Sequence, residues 1–117
     1  QDENGNVIET NDPTLLRKTV SKQTSDRVKE ALRAVMTDGT GVPANVEGYD
    51  IGGKTGTAEK LPRGNGDYLL SFIGYAPQEN PEVVIYVVID EPNVENQELS
   101  SYVLELSQKI MRKHFHI

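Results

Sequence analysis

The sequence predicts an α+β fold: an amphipathic helix, then a three-stranded antiparallel meander, then a C-terminal helix packed on the sheet. Three observations predict it. Apolar residues recur at helical spacing over residues 21–37 and again over 96–114. Three extended segments lie between these regions. The last two of them are joined only by residues 77–81, too short for a parallel crossover, which takes about a dozen residues or more.

The chain opens with Asp2, Glu3, Asn4, Gly5 and Asn6, whose Asn-Gly pair predicts a hairpin turn, and continues into an extended stretch over residues 7–10. No strand precedes this turn, so we expect a longer parent chain. In the first helix, Val28, Ala31, Leu32, Val35 and Met36 follow the i, i+3, i+4, i+7, i+8 pattern of one face. Ser21 suits its N-cap, and Gly39 is expected to end it in the left-handed conformation.

Residues 40–45 read as loop and residues 49–59 as a strand with glycine-rich steps. Turn residues fill 61–67. Strands are then predicted at 68–76 and 83–89. The second is uniformly apolar and is expected to be buried on both faces. In the final helix, Leu99, Val103, Leu106 and Ile110 mark the expected apolar face, with Lys109, Arg112 and Lys113 near the end where the helix dipole favours cations.

Composition removes several function classes. A formal charge of −6, from 18 acidic and 12 basic residues with no offsetting basic cluster, opposes binding to a phosphate backbone, so no nucleic-acid partner is expected. Cysteine is absent, which excludes disulfides, thiolate zinc sites and cysteine nucleophiles. No stretch approaches the ~18 apolar residues of a membrane span, so these residues are not expected to contact a membrane. No cofactor or metal is implied. His114 and His116 are two apart, a spacing that does not share a helix face, and are expected to be solvated.

The informative stretch runs from Gly52 to Lys60. Gly48 through Thr55 satisfies G-x-x-x-x-G-K-[ST], the phosphate loop of NTPases, and Asp90 and Glu91 after an apolar run imitate its Mg²⁺-binding strand end. The context opposes that reading. A phosphate loop passes from a buried strand into a helix whose N-terminus holds the phosphates, whereas Asn45-Val46-Glu47 is no such strand and Gly56 and Pro62 break any helix after it. Asp90 and Glu91 read better as a solvated strand end than as a catalytic pair, since adjacent strand residues point to opposite faces. Lys60 and Arg63 read as ordinary surface residues. Tyr68, Tyr75, Tyr86 and Tyr102 suit strand propensity and helix packing better than a ligand cage.

The second reading rests on a family resemblance. Gly53-Lys54-Thr55-Gly56-Thr57-Ala58, then Ser71-Phe72-Ile73-Gly74-Tyr75-Ala76-Pro77, then Val87-Val88-Ile89-Asp90-Glu91-Pro92 resemble, in order, the C-terminal sequence of class B penicillin-binding proteins. Asp38-Gly39-Thr40-Gly41 with Ala44 also resembles the segment that leads into their Lys-Thr-Gly strand. The resemblance covers nearly the whole chain, so residues 1–117 are expected to be a C-terminal part of a transpeptidase domain of the serine β-lactamase/transpeptidase-like fold.

That family acylates a serine with the D-Ala-D-Ala carbonyl of a peptidoglycan stem peptide, or with the lactam of penicillin, and passes the acyl group to an amine. The resemblance implies that Lys54 attracts the substrate carboxylate and influences proton transfer, that Thr55 and Thr57 bind that carboxylate through their hydroxyls, and that Gly56 lets substrate approach the strand. It also implies that the Thr57 N–H is one oxyanion-hole donor. The implied partners are stem peptides, β-lactams and the N-terminal part of the same domain. The implied location is the outer face of the bacterial cytoplasmic membrane, with the parent anchored by a segment outside these residues.

The nucleophile itself is not found. Ser21, Ser25, Ser71, Ser100, Ser101 and Ser107 all lack a lysine three residues later, Thr19 has the spacing in the wrong context, and no Ser-x-Asn occurs. The fragment alone is therefore expected to be inactive. The family domain also places a strand beside residues 83–90, without which that edge is expected to favour dimerisation, swapping or aggregation. The competing reading is a non-catalytic interaction module with a vestigial motif.

Overall fold

The computed structural model describes residues 1–117. Its elements run α1 (Lys22–Asp38), a 3₁₀ turn (Val42–Ala44), β1 (Gly52–Glu59), β2 (Tyr68–Ala76), β3 (Val83–Asp90) and α2 (Ser101–His114). The sheet is antiparallel in the order β1-β2-β3. The predicted helix, meander and helix are all present. No helix is long and apolar enough to cross a membrane.

Local chemistry explains most boundaries. Ser21 caps α1, its Oγ accepting the Thr24 N–H at 3.1 Å. The predicted left-handed Gly39 is not found: its φ of −115° and ψ of −158° are extended. Glycine is needed there for space, because a Cβ would lie 2.9 Å from Val35 Cα. The N-terminal Asn-Gly turn forms, with Gly5 at φ 81° and its N–H donating to Asp2 O at 3.0 Å. Residues 7–10 join no strand.

Between β1 and β2 the turn is closed by the Lys60 N–H donating to Asp67 O at 2.8 Å and the Gly64 N–H donating to Glu59 Oε1 at 2.6 Å. The strand β1 begins at Gly52 rather than at residue 49. Tyr49 is instead drawn out of the strand by Phe115, with ring centroids 4.1 Å apart in a stacked pair.

The core lies between one face of the sheet and α2. Leu70, Phe72 and Ala76 of β2 are fully buried, as are Val103, Leu104 and Met111 of α2, with Met36, Ala44, Val46 and Ile51 extending the cluster toward α1. Burying each larger apolar side chain contributes about 1.5–3 kcal/mol. On α2 the buried stripe shares only Val103 with the predicted one. The helix starts at Ser101, and Val103, Leu104, Ser107 and Met111 face the sheet, while Leu99, Leu106 and Ile110 are exposed. Ser107 is accepted in the stripe because its hydroxyl donates to Val103 O at 2.6 Å, leaving no unpaired polar group.

The expectation for β3 also fails in one respect. Val83, Ile85, Val87 and Ile89 pack toward the core, but Val84 and Tyr86 remain 64% and 66% exposed. Only one face is covered, because α2 is the only layer laid over β3 within residues 1–117. Between that outer face and α1 runs an apolar cleft of about 480 Å³, lined by Val28, Leu32, Tyr75 and Val84 among others.

A fork of charges ties α1 to the sheet. Arg33 donates through Nε and Nη2 to both oxygens of Asp50, at 2.8 and 2.6 Å, and its Nη2 lies 3.4 Å from Glu79. Bidentate pairing needs the planar guanidinium, which a lysine does not reproduce. Arg33→Lys is expected to lower the thermal midpoint slightly, with a loss that shrinks in high salt because the pair is open to solvent. An unchanged midpoint at low salt would show that the fork adds nothing.

Candidate functional site

The strand β1 is an edge strand, paired only with β2. Its register sets Lys54 opposite Ile73 and Gly56 opposite Ser71 on the outer face, and Thr55 opposite Phe72 and Thr57 opposite Leu70 on the inner one. Alternation therefore separates Lys54 from the two threonines. The edge brings Lys54 and Thr55 back together: the Lys54 ammonium wraps around the strand and donates to Thr55 O at 2.7 Å, with Thr55 Oγ1 at 3.4 Å.

Lys54 and Thr57 are exposed, and Thr55 and Gly56 are half-buried. The motif thus presents an unpaired cation and two hydroxyls at a solvent-facing edge, a combination suited to an anionic group. The Thr57 hydroxyl has no protein partner. At Gly56 a Cβ would lie 2.4 Å from Ser71 Oγ, a hydroxyl that can turn aside, and the next nearest atom is 3.8 Å away. Thr55 also meets Thr40, a residue of the segment leading into the strand to which the sequence assigns no role: their hydroxyls lie 3.1 Å apart.

The start of the strand is built by close packing. A Cβ on Gly53 would lie 2.6 Å from Phe72 Cζ and 2.9 Å from Ile73 O, and one on Gly52 would lie 2.5 Å from the Tyr75 hydroxyl and 2.4 Å from Gln78 Oε1. Gln78 is buried, its N–H donating to Asp50 O at 2.9 Å and its side-chain amide donating to Lys29 O. The Tyr75 hydroxyl and Gln78 Oε1 have no partner, and burial pushes the Tyr75 phenol above its ordinary value. Nothing in the residue pattern signals Gln78 or the Arg33–Asp50 pair, whose members are far apart in sequence.

The phosphate-loop pattern fails on geometry, since Lys54 and Thr55 lie inside an antiparallel strand and no helix follows them. Asp90 and Glu91 do not diverge as strand alternation suggested. Glu91 lies beyond β3 with φ 47°, and both carboxylates turn to Lys60, which Asp90 meets at 2.9 Å. These contacts hold the Lys60 ammonium well above its ordinary value, Glu91 first and Asp90 second. This is a structural ion pair across one end of the sheet, so Lys60 is more than an unpaired surface residue. No group of three or more His, Cys, Asp or Glu side chains is placed to hold a metal, and His114 packs edge-on against Phe115 at 5.2 Å.

Residues 2–115 match the family described as the penicillin binding protein transpeptidase domain. The chain is 40% identical over 89 residues to stage V sporulation protein D of Bacillus subtilis, covering 74% of this chain and 14% of that protein. Among solved structures, the transpeptidase domain of the FtsI4 D,D-transpeptidase from Legionella pneumophila matches with a TM-score of 0.70 at 28% identity, over 82% of this chain and 37% of that one. Penicillin binding protein 3 of Mycobacterium tuberculosis complexed with ampicillin matches with a TM-score of 0.63 at 29% identity, over 84% of this chain and 25% of that one. The chain spans well under half the length of each of these relatives. Its sheet and helices are those of the serine β-lactamase/transpeptidase-like fold.

Proposed function

Because this chain belongs to the penicillin-binding protein transpeptidase family over residues 2–115, we propose that it supplies the substrate-binding edge strand of a peptidoglycan D,D-transpeptidase. The observation that carries this reading is the gathering of the Lys54 ammonium and the Thr55 hydroxyl at the free edge of β1, 3.4 Å apart. A stem peptide or β-lactam laid along that edge would place its carboxylate against Lys54, Thr55 and Thr57. The Thr57 N–H would donate to the carbonyl oxygen as it gains charge, a contact typically worth about 3 kcal/mol in the transition state. Gly56, backed by Ser71, keeps the strand free of a side chain between the two threonines.

The acylated serine is supplied by a part of the domain outside residues 1–117, since no serine here has a lysine three residues later. That part also covers the exposed apolar face and extends the sheet beside β3. By the same reading the protein works on the outer face of the cytoplasmic membrane, where its substrate lies, and its partners are stem peptides and β-lactams.

Labelled penicillin tests the proposal. The full-length protein is expected to form a covalent adduct on a serine, and the 117-residue chain none. An adduct on the short chain would show that the nucleophile has been misplaced. A full-length protein that binds cell-wall partners without being acylated would favour a non-catalytic interaction module.

A further inference from the structure

The loop between α1 and the 3₁₀ turn is built with unusual economy of space around one side chain. A Cβ on Gly39 would lie 2.9 Å from Val35 Cα, and one on Gly41 would lie 2.5 Å from Met36 Sδ and 3.1 Å from Val35 O. The Gly41 N–H donates to Val35 O at 2.9 Å, and the Ala44 N–H to Gly41 O at 2.9 Å. The backbone is thereby folded tightly over the end of α1. Thr40, between the two glycines, is held with its hydroxyl 3.1 Å from that of Thr55.

The donors and acceptors around Thr55 Oγ1 then constrain one another. Lys54 has only protons to give, so at 3.4 Å it can act on Thr55 Oγ1 only as a donor. Between the two threonines either oxygen can donate. When Thr55 donates to Thr40, its proton points away from the open edge. When Thr40 donates, Thr55 accepts from it and its own proton is released toward an anion at the edge.

We propose that Thr40 is a positioning residue for ligand recognition: its hydroxyl donates to Thr55 Oγ1 and so directs the Thr55 proton to the carboxylate of a bound stem peptide or β-lactam. The proposal rests on the reading of Thr55 as a carboxylate-binding residue. Thr40 does not touch the reacting carbonyl, so its effect falls on binding of the carboxylate and not on the acyl-transfer step itself.

The test is the second-order acylation rate of the full-length protein with a penicillin and with the methyl ester of the same penicillin. Thr40→Val removes the hydroxyl at nearly constant shape, and Thr40→Ala gives the same test by truncation should the valine variant fold poorly. Either is expected to slow acylation by the free acid about three- to tenfold, the usual worth of one hydrogen bond. Acylation by the ester should be equal in wild type and variant, and Thr40→Ser should restore the rate with the acid. Equal slowing with acid and ester would mean a merely structural role and would overturn the proposal. So would an unchanged rate in Thr40→Val where Thr55→Val is slow. If Thr55→Val is also unchanged, the carboxylate reading of Thr55 itself is wrong.

Discussion

Replacing Lys54 by alanine in the full-length protein is expected to slow acylation by a β-lactam about 10²–10³-fold, the range for loss of one preorganised electrostatic contact at a reacting centre. The side chain is exposed and its one close contact is the neighbouring carbonyl of Thr55 at 2.7 Å, so its removal opens no cavity. The thermal midpoint should therefore stay within the scatter of ordinary surface substitutions. Lys54→Arg is expected to recover only part of the rate: the guanidinium keeps the charge but cannot wrap the edge as a compact point donor. Stopped-flow acylation with a chromogenic lactam reads the effect directly. Acylation of Lys54→Ala at the wild-type rate would remove Lys54 from the site.

The second large effect concerns stability. Gly53→Ala pushes a methyl group to within 2.6 Å of Phe72 Cζ and 2.9 Å of the Ile73 carbonyl, and overpacking of this kind costs about 1–3 kcal/mol. Phe72→Ala, at a fully buried ring in the centre of β2, should cost about 3–5 kcal/mol. Combined, the two should cost less than the sum of their separate effects, because the ring that obstructs the new methyl is gone while the carbonyl remains. Denaturant unfolding of the four proteins in the cycle measures the difference. Strict additivity would mean that the alanine is accommodated by moving β1 rather than by pressing on Phe72. The glycine ahead of Lys54 would then be explained by its backbone alone.

Much of this was legible in the residues because it is local. Helical spacing identified α1 and α2, and the five residues 77–81 dictated an antiparallel pair whatever the rest of the chain did. The motif strand was legible from blocks of sequence in a familiar order. What escaped depends on long-range placement. The α2 pattern contains two apolar stripes, and the choice of Val103, Leu104 and Met111 over Leu106 and Ile110 is made by the sheet beneath it. The apolar run of β3 signals a strand but not its one-sided burial, since which face α2 takes is not written in β3. Thr40 and Gln78 escaped for a related reason: their partners, Thr55 and Lys29, are brought to them only by the completed fold. At Asp90 and Glu91 strand alternation does not hold, because β3 ends at Asp90 and Glu91 turns away with φ 47°.

The clasp between α2 and the segment before β1 makes the placement of the motif strand depend on distant sequence. Gln108 donates to Asn45 O at 2.8 Å, and Phe115 stacks on Tyr49, so residues near the end of the chain anchor the approach to the motif strand. The three strands pair only with sequence neighbours and can assemble early, as local contacts do. The approach to the Lys54 edge, however, is anchored by a hydrogen bond between residues 63 apart in sequence. The strand proposed to bind substrate thus pairs through local contacts yet is held in place by distant ones.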